Sequence, residues 1–118
     1  MNKDELKART KRFALDVMRQ VESLPKTKTA DILGRQLMRS GTSVGANYRS
    51  ACRAKSTADF IAKLGIVEEE ADETLFWLEL LIESKLIQKE SVASLMKEAN
   101  EILAITVSSI KTAKLRRK

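Results

Sequence analysis

Apolar residues recur along this chain at spacings of three and four, the mark of helices with one buried face. Leu6, Phe13, Val17, Val21 and Leu24 form one such stripe, flanked by Ala14 and Met18. The spacing predicts a first helix over residues 4–23. It stops at Leu24-Pro25, because a residue before proline avoids the α region. Thr27 or Thr29 caps a second helix running to about Arg53, with Leu33, Leu37, Val44, Tyr48 and Ala51 inward. Ser56 caps a third helix reaching about Ser84, and Asp59 sits near the positive end of its dipole. Phe60, Leu64, Val67, Ala71, Leu75, Leu78, Leu81 and Ile82 face inward there. A fourth helix is expected over 89–114, with Val92, Leu95, Met96, Ala99, Ile102, Leu103, Thr106, Val107 and Ile110 on its stripe. Lys114–Lys118 are expected to fray as a basic tail. The links are short, about three to six residues, which forces neighbouring helices to run in opposite directions. The expected fold is all-α, a single-domain antiparallel up-down-up-down four-helix bundle over residues 1–118.

Two helices depart from the simple pattern. In the third, only Glu79 is polar between Leu75 and Ile82. Phe76 and Leu80 point away from the inward stripe, and Ile66 and Trp77 lie on its shoulder. One bundle cannot bury both faces of an outer helix. A contiguous side with four bulky groups, two of them aromatic, reads as an interface between subunits. In the second helix, Gly41 and Gly45 each cost up to about 1 kcal/mol relative to Ala. A helix that keeps them gains close approach to a neighbour. Ser40, Ser43 and Asn47 beside them read as hydrogen-bonding spacers between closely packed helices.

Charge changes the picture next. The net charge is +6, but residues 1–55 carry +8, residues 56–110 carry −7 and residues 111–118 carry +5. Such segregation creates opposed surface patches. On the second helix, Lys28, Arg35, Arg39, Arg49 and Arg53 fall within about 40° of one line, opposite the core side. After Asp31 that helix holds no acid. The stripe runs about 37 Å, long enough to track several backbone phosphates. Aromatic residues do not alternate with the cations, so contact with nucleic acid should be through the backbone, with little sequence readout. Arginines opposite a core also serve as a solvated face, or pair with carboxylates of the acidic third helix.

Other chemistry is sparse. The chain has no histidine, which removes histidine-based triads and most zinc sites. Gly41 and Gly45 lack the strand and the Gly-Lys-Ser/Thr of a phosphate loop. Glu68, Glu69, Glu70, Asp72 and Glu73 form the one carboxylate cluster. Glu69 and Glu73, a turn apart, read as a solvated face or arginine partners before they read as a Mg²⁺ site. No catalytic residue, metal or cofactor is expected. Cys52 stands alone, which excludes an intramolecular disulfide and fits a reducing cytoplasm. No apolar run suits a membrane span or a signal peptide.

The segments Gln36-Leu-x-Arg39-Ser40-Gly-Thr-Ser43-Val-Gly-Ala-Asn47-Tyr48-Arg49, Arg53-Ala-Lys-Ser56-x-Ala-Asp-Phe60 and Glu70-Ala-Asp-Glu73-Thr-Leu-x-Trp77-Leu78-Glu79-Leu resemble the 23S rRNA intervening-sequence protein family. The resemblance spans roughly residues 10–110. It implies an up-down bundle that assembles as a homopentamer. The chain is also similar to accessory proteins of diversity-generating retroelements, which bind nucleic acid and a reverse transcriptase. The family usually places a Glu where this chain has Ser50, so any ion pair or site built on that Glu is weakened here. The expected function is therefore that of a non-enzymatic cytoplasmic homo-oligomer, a homopentamer by resemblance. It would bind RNA or DNA backbone through Lys28, Arg35, Arg39, Arg49 and Arg53, and associate through Ile66, Phe76, Trp77 and Leu80. The alternative is an adaptor or accessory subunit whose basic half docks an acidic protein partner.

Overall fold

In the computed structural model, which describes residues 1–117, the chain folds into α1 (Lys3–Glu22), α2 (Lys28–Cys52), α3 (Thr57–Glu83) and α4 (Ala93–Arg116). One turn of 3-10 helix, Lys89–Val92, leads into α4. No strand occurs among the described residues. The helices form a rod 50 Å long and 20 Å across in each other direction.

Local chemistry sets the ends. Asn2 Oδ1 accepts from Glu5 N at 2.8 Å, Thr27 Oγ1 from Ala30 N at 3.1 Å, and Ser56 Oγ from Asp59 N at 3.0 Å. Each satisfies a backbone donor that the first turn of a helix leaves open. Asp59 returns the favour by accepting from Lys55 N at 3.1 Å and Lys63 Nζ at 3.1 Å, which hold its carboxyl below the ordinary carboxylate range. At the far end of α3, Lys85 adopts φ 64°. Its N–H donates to Ile82 O and that of Leu86 to Leu81 O, a paired closure of the last turn.

The inward stripes meet in one core. Phe13, Val17, Leu37, Val44, Leu64, Val67, Leu78, Leu81, Val92 and Ile102 are almost completely buried. Contacts between α1 and α2 run in reverse chain order: Gly34 faces Val21, Gly41 faces Val17 and Gly45 faces Thr10. A Cβ on Gly41 would stand 2.7 Å from both Val17 methyls, and one on Gly45 would stand 3.2 Å from the Thr10 carbonyl oxygen. The two glycines therefore let α2 lie directly on α1. Thr10 is itself buried and bonds back to Leu6 O at 2.9 Å, which satisfies its hydroxyl inside the contact.

Three expectations need correction. Met18 is 41% exposed rather than packed beside the core stripe. Helix α4 begins only at Ala93, the first turn having tightened to 3-10. The basic tail does not fray from Lys114, because α4 stays helical through Arg116; Lys118 lies outside the described residues.

Candidate interaction face on α2 and α3

The basic stripe is built as the 3.6-residue period dictates. Lys28, Arg35, Arg39, Arg49 and Arg53 are all exposed. The cations differ in their partners. Arg35 Nη2 pairs with Asp31 Oδ2 at 3.0 Å, one turn back on the same helix. Arg39 reaches across to α3, where Nη1 donates to Glu70 Oε2 at 3.0 Å and Nη2 to Glu73. Lys28, Arg49 and Arg53 make no ion pair among the described residues. The stripe is therefore interrupted: acids of the same chain take up its middle, and its C-terminal part stays open.

Glu73 also accepts from Trp77 Nε1 at 3.0 Å, so one carboxylate joins the basic stripe to the apolar side of α3. The Phe76 and Trp77 rings meet edge to face, with centroids 5.0 Å apart. Phe76 is 50% exposed and Ile66 43%, while Trp77 and Leu80 are half-buried. The four proposed interface residues thus share the outer side of α3. Its two most exposed members stand apart from the core, and Trp77 leans on it.

The small polar residues of α2 divide into two groups. Ser40 is buried and accepts from Thr74 Oγ1 at 2.9 Å, a bond that crosses from α3 to α2. Ser43 Oγ donates to Arg39 O at 2.7 Å, and Asn47 Nδ2 donates to Ser43 O at 2.8 Å. These two bond along their own helix and do not space it from a neighbour. The expectation of bridging spacers thus describes Ser40 and not Ser43 or Asn47. The physical reason is their position on the half-exposed shoulder of α2. There the nearest acceptor is the carbonyl one turn back.

One strong polar cluster lies elsewhere and has no conspicuous sequence motif. Arg9 forks onto Glu98, Nε to Oε2 at 2.6 Å and Nη2 to Oε1 at 2.7 Å, and also reaches Glu101 at 2.6 Å. The Arg9 hydrogen bonds hold the Glu98 carboxyl below its ordinary value. They raise the guanidinium further above its own. Glu98 and Glu101, three apart on α4, were the available signal, but such pairs are common on solvated faces. Glu69 remains exposed and Glu73 is taken by Arg39 and Trp77. Among the described residues no group of three or more His, Cys, Asp or Glu is placed to hold a metal ion. None of their helices is long and apolar enough to cross a membrane.

The comparisons with known proteins concern the whole bundle. A crystal structure from Bacteroides thetaiotaomicron, described as a protein with unknown function from the S23 ribosomal protein family, superposes with a TM-score of 0.87. It is 39% identical, and the match covers 94% of this chain and 99% of that one. No curated protein matches the chain. The family model for the 23S rRNA-intervening sequence protein matches residues 3–108, nearly all of the four helices that carry this face, and the chain belongs to that family.

Proposed function

We propose that this protein is a non-enzymatic, homo-oligomeric helix bundle that binds RNA or DNA backbone through the basic face of α2. The observation that carries the reading is the exposure of Lys28, Arg35, Arg39 and Arg49 along α2, a helix 25 residues long, with Arg53 exposed at its C-cap. Cations spread along such a length can neutralise several phosphates at once. Contacts of this kind position a nucleic acid without reading its bases. The reading takes the bundle as antiparallel and up-down-up-down, supported by the reversed order of contacts between α1 and α2. It takes the assembly as a homopentamer, supported by the family resemblance and by the apolar outer side of α3. A ring of copies would repeat the basic face and add avidity. The lone Cys52 supports a cytoplasmic setting.

The experiment is a fluorescence-anisotropy titration of labelled RNA at several salt concentrations. Affinity should fall with a log–log slope of about −0.7 to −0.9 per phosphate contacted, equally for unrelated sequences. A flat salt response would refute the reading. One observation favours a second reading, an adaptor that docks an acidic protein: Arg39 already holds two carboxylates of its own chain. Under that reading, acidic peptides should compete for the face at the affinity of RNA or better.

A further inference from the structure

The start of α1, the end of α2, the start of α3 and the end of α4 gather at one end of the rod, around two adjoining depressions. Lys3, Thr57 and Phe60 line both. The larger is a cavity of about 410 Å³ that also takes in Ser109, Thr112 and Arg116. Lys55 lines the smaller, and Arg53 stands between Cys52 and Ala54, which line it too. Among the described residues no carboxylate lines either depression. The Lys3 ammonium lies 5.3 Å from the centroid of the Phe60 ring, an apolar face already used by a cation.

The hydroxyls are the second observation. Thr10, Thr42 and Thr106 each donate to the carbonyl one turn back. Ser109 and Thr112 make no hydrogen bond within the protein among the described residues, although they occupy the same kind of helical position. They remain open to a ligand, as donors or acceptors.

From this arrangement we infer that the end of the bundle seats single-stranded nucleic acid. Lys3, Arg53, Lys55 and Arg116 hold neighbouring phosphates, and one unstacked base enters the larger depression against Phe60. The inference rests on the nucleic-acid reading above and relocates its centre. The middle of the α2 stripe is engaged with Asp31, Glu70 and Glu73, whereas the cations at this end form no ion pair among the described residues. A cavity near the small end of the ligand-pocket range suits one planar ring. An aromatic face stacks on any base, and hydroxyls serve both donor and acceptor edges, so little sequence preference follows. A paired base must first unpair and unstack to enter, so single strands are favoured.

The test is anisotropy at low salt with a labelled oligoadenylate and a blunt RNA duplex. Arg53→Glu with Lys55→Glu should weaken oligoadenylate binding by about tenfold, the loss of about two phosphate contacts. Lys28→Glu with Arg35→Glu, at the opposite end of the α2 stripe, should weaken it by a smaller factor than the end pair does, because Arg35 is already paired with Asp31 and the end cap is untouched. Ser109→Phe, which fills the larger depression, should abolish the preference for single strands and leave duplex binding unchanged. If circular dichroism shows that variant unfolded, Phe60→Leu carries the same expectation, since it removes the stacking face and stays apolar. A larger loss from the Lys28 and Arg35 pair than from the end pair overturns the inference and leaves the backbone reading standing. Equal affinity for duplex and single strand overturns the base seat. No binding of either probe overturns both the inference and the reading beneath it.

Discussion

Gly41 and Gly65 occupy the same kind of helical backbone and should respond to alanine in opposite directions. A methyl on Gly41 would meet both branches of Val17 at 2.7 Å, while one on Gly65 would meet nothing within 4 Å. Val17 is fully buried and has no free end to move aside. Gly41→Ala should therefore destabilise by about 1–3 kcal/mol through overpacking, more than the gain in helix propensity returns. Gly65→Ala should stabilise by about 0.5–1 kcal/mol. Thermal melts of the two variants check both signs, and a rise for Gly41→Ala would show that α1 does not press on α2. At this scale the sequence revealed where small residues cluster. It could not reveal which hydroxyl crosses between helices. Ser40, Ser43 and Asn47 read alike in sequence, and only the choice of partner, Thr74 for Ser40 and carbonyls of the same helix for the others, separates them.

Among the helices, α1 and α4 share the slightest seam of the neighbouring pairs. The Arg9 fork on Glu98 and Glu101 ties that seam. Glu98 has a lowered folded-state pKa, so folding favours its ionised form. The stabilisation is fully present above its ordinary value of 4.5 and is lost as pH falls through the lowered folded value. Glu98→Gln should cost about 1 kcal/mol near neutral pH, the worth of a charged hydrogen bond after screening at this partly exposed site. The melting-temperature gap between wild type and Glu98→Gln should narrow as pH falls below about 4. A gap that stays constant with pH would mean that Glu98 acts by packing alone. Helix ends and inward stripes were legible in the chain because Pro25, Thr27 and Ser56 punctuate a strong 3.6-residue period. The 3-10 turn before α4 was not, since Gln88 offers no capping hydrogen bond and the pattern alone cannot distinguish the two windings. The seam between α1 and α4 was equally hidden, because its partners lie 89 residues apart.

Taken whole, the molecule leaves Ile66 and Phe76 in solvent beside half-buried Trp77 and Leu80. Burying such side chains between copies contributes about 1.5–3 kcal/mol each. Phe76→Glu with Leu80→Glu should split the proposed oligomer while circular dichroism stays helical. Light scattering decides it, and a wild-type monomer at micromolar concentration would remove the premise. The slight seam between α1 and α4 also bears on how the chain finds its fold. The other seams join helices adjacent in sequence, so they close small loops and should form early. The Arg9–Glu98 tie needs both ends of the chain together and should form after the folding transition state. Glu98→Gln should then speed unfolding and leave the refolding rate unchanged in stopped-flow measurements. The bond that ties the first helix to the last would lengthen the life of the folded bundle and have no part in how fast it forms.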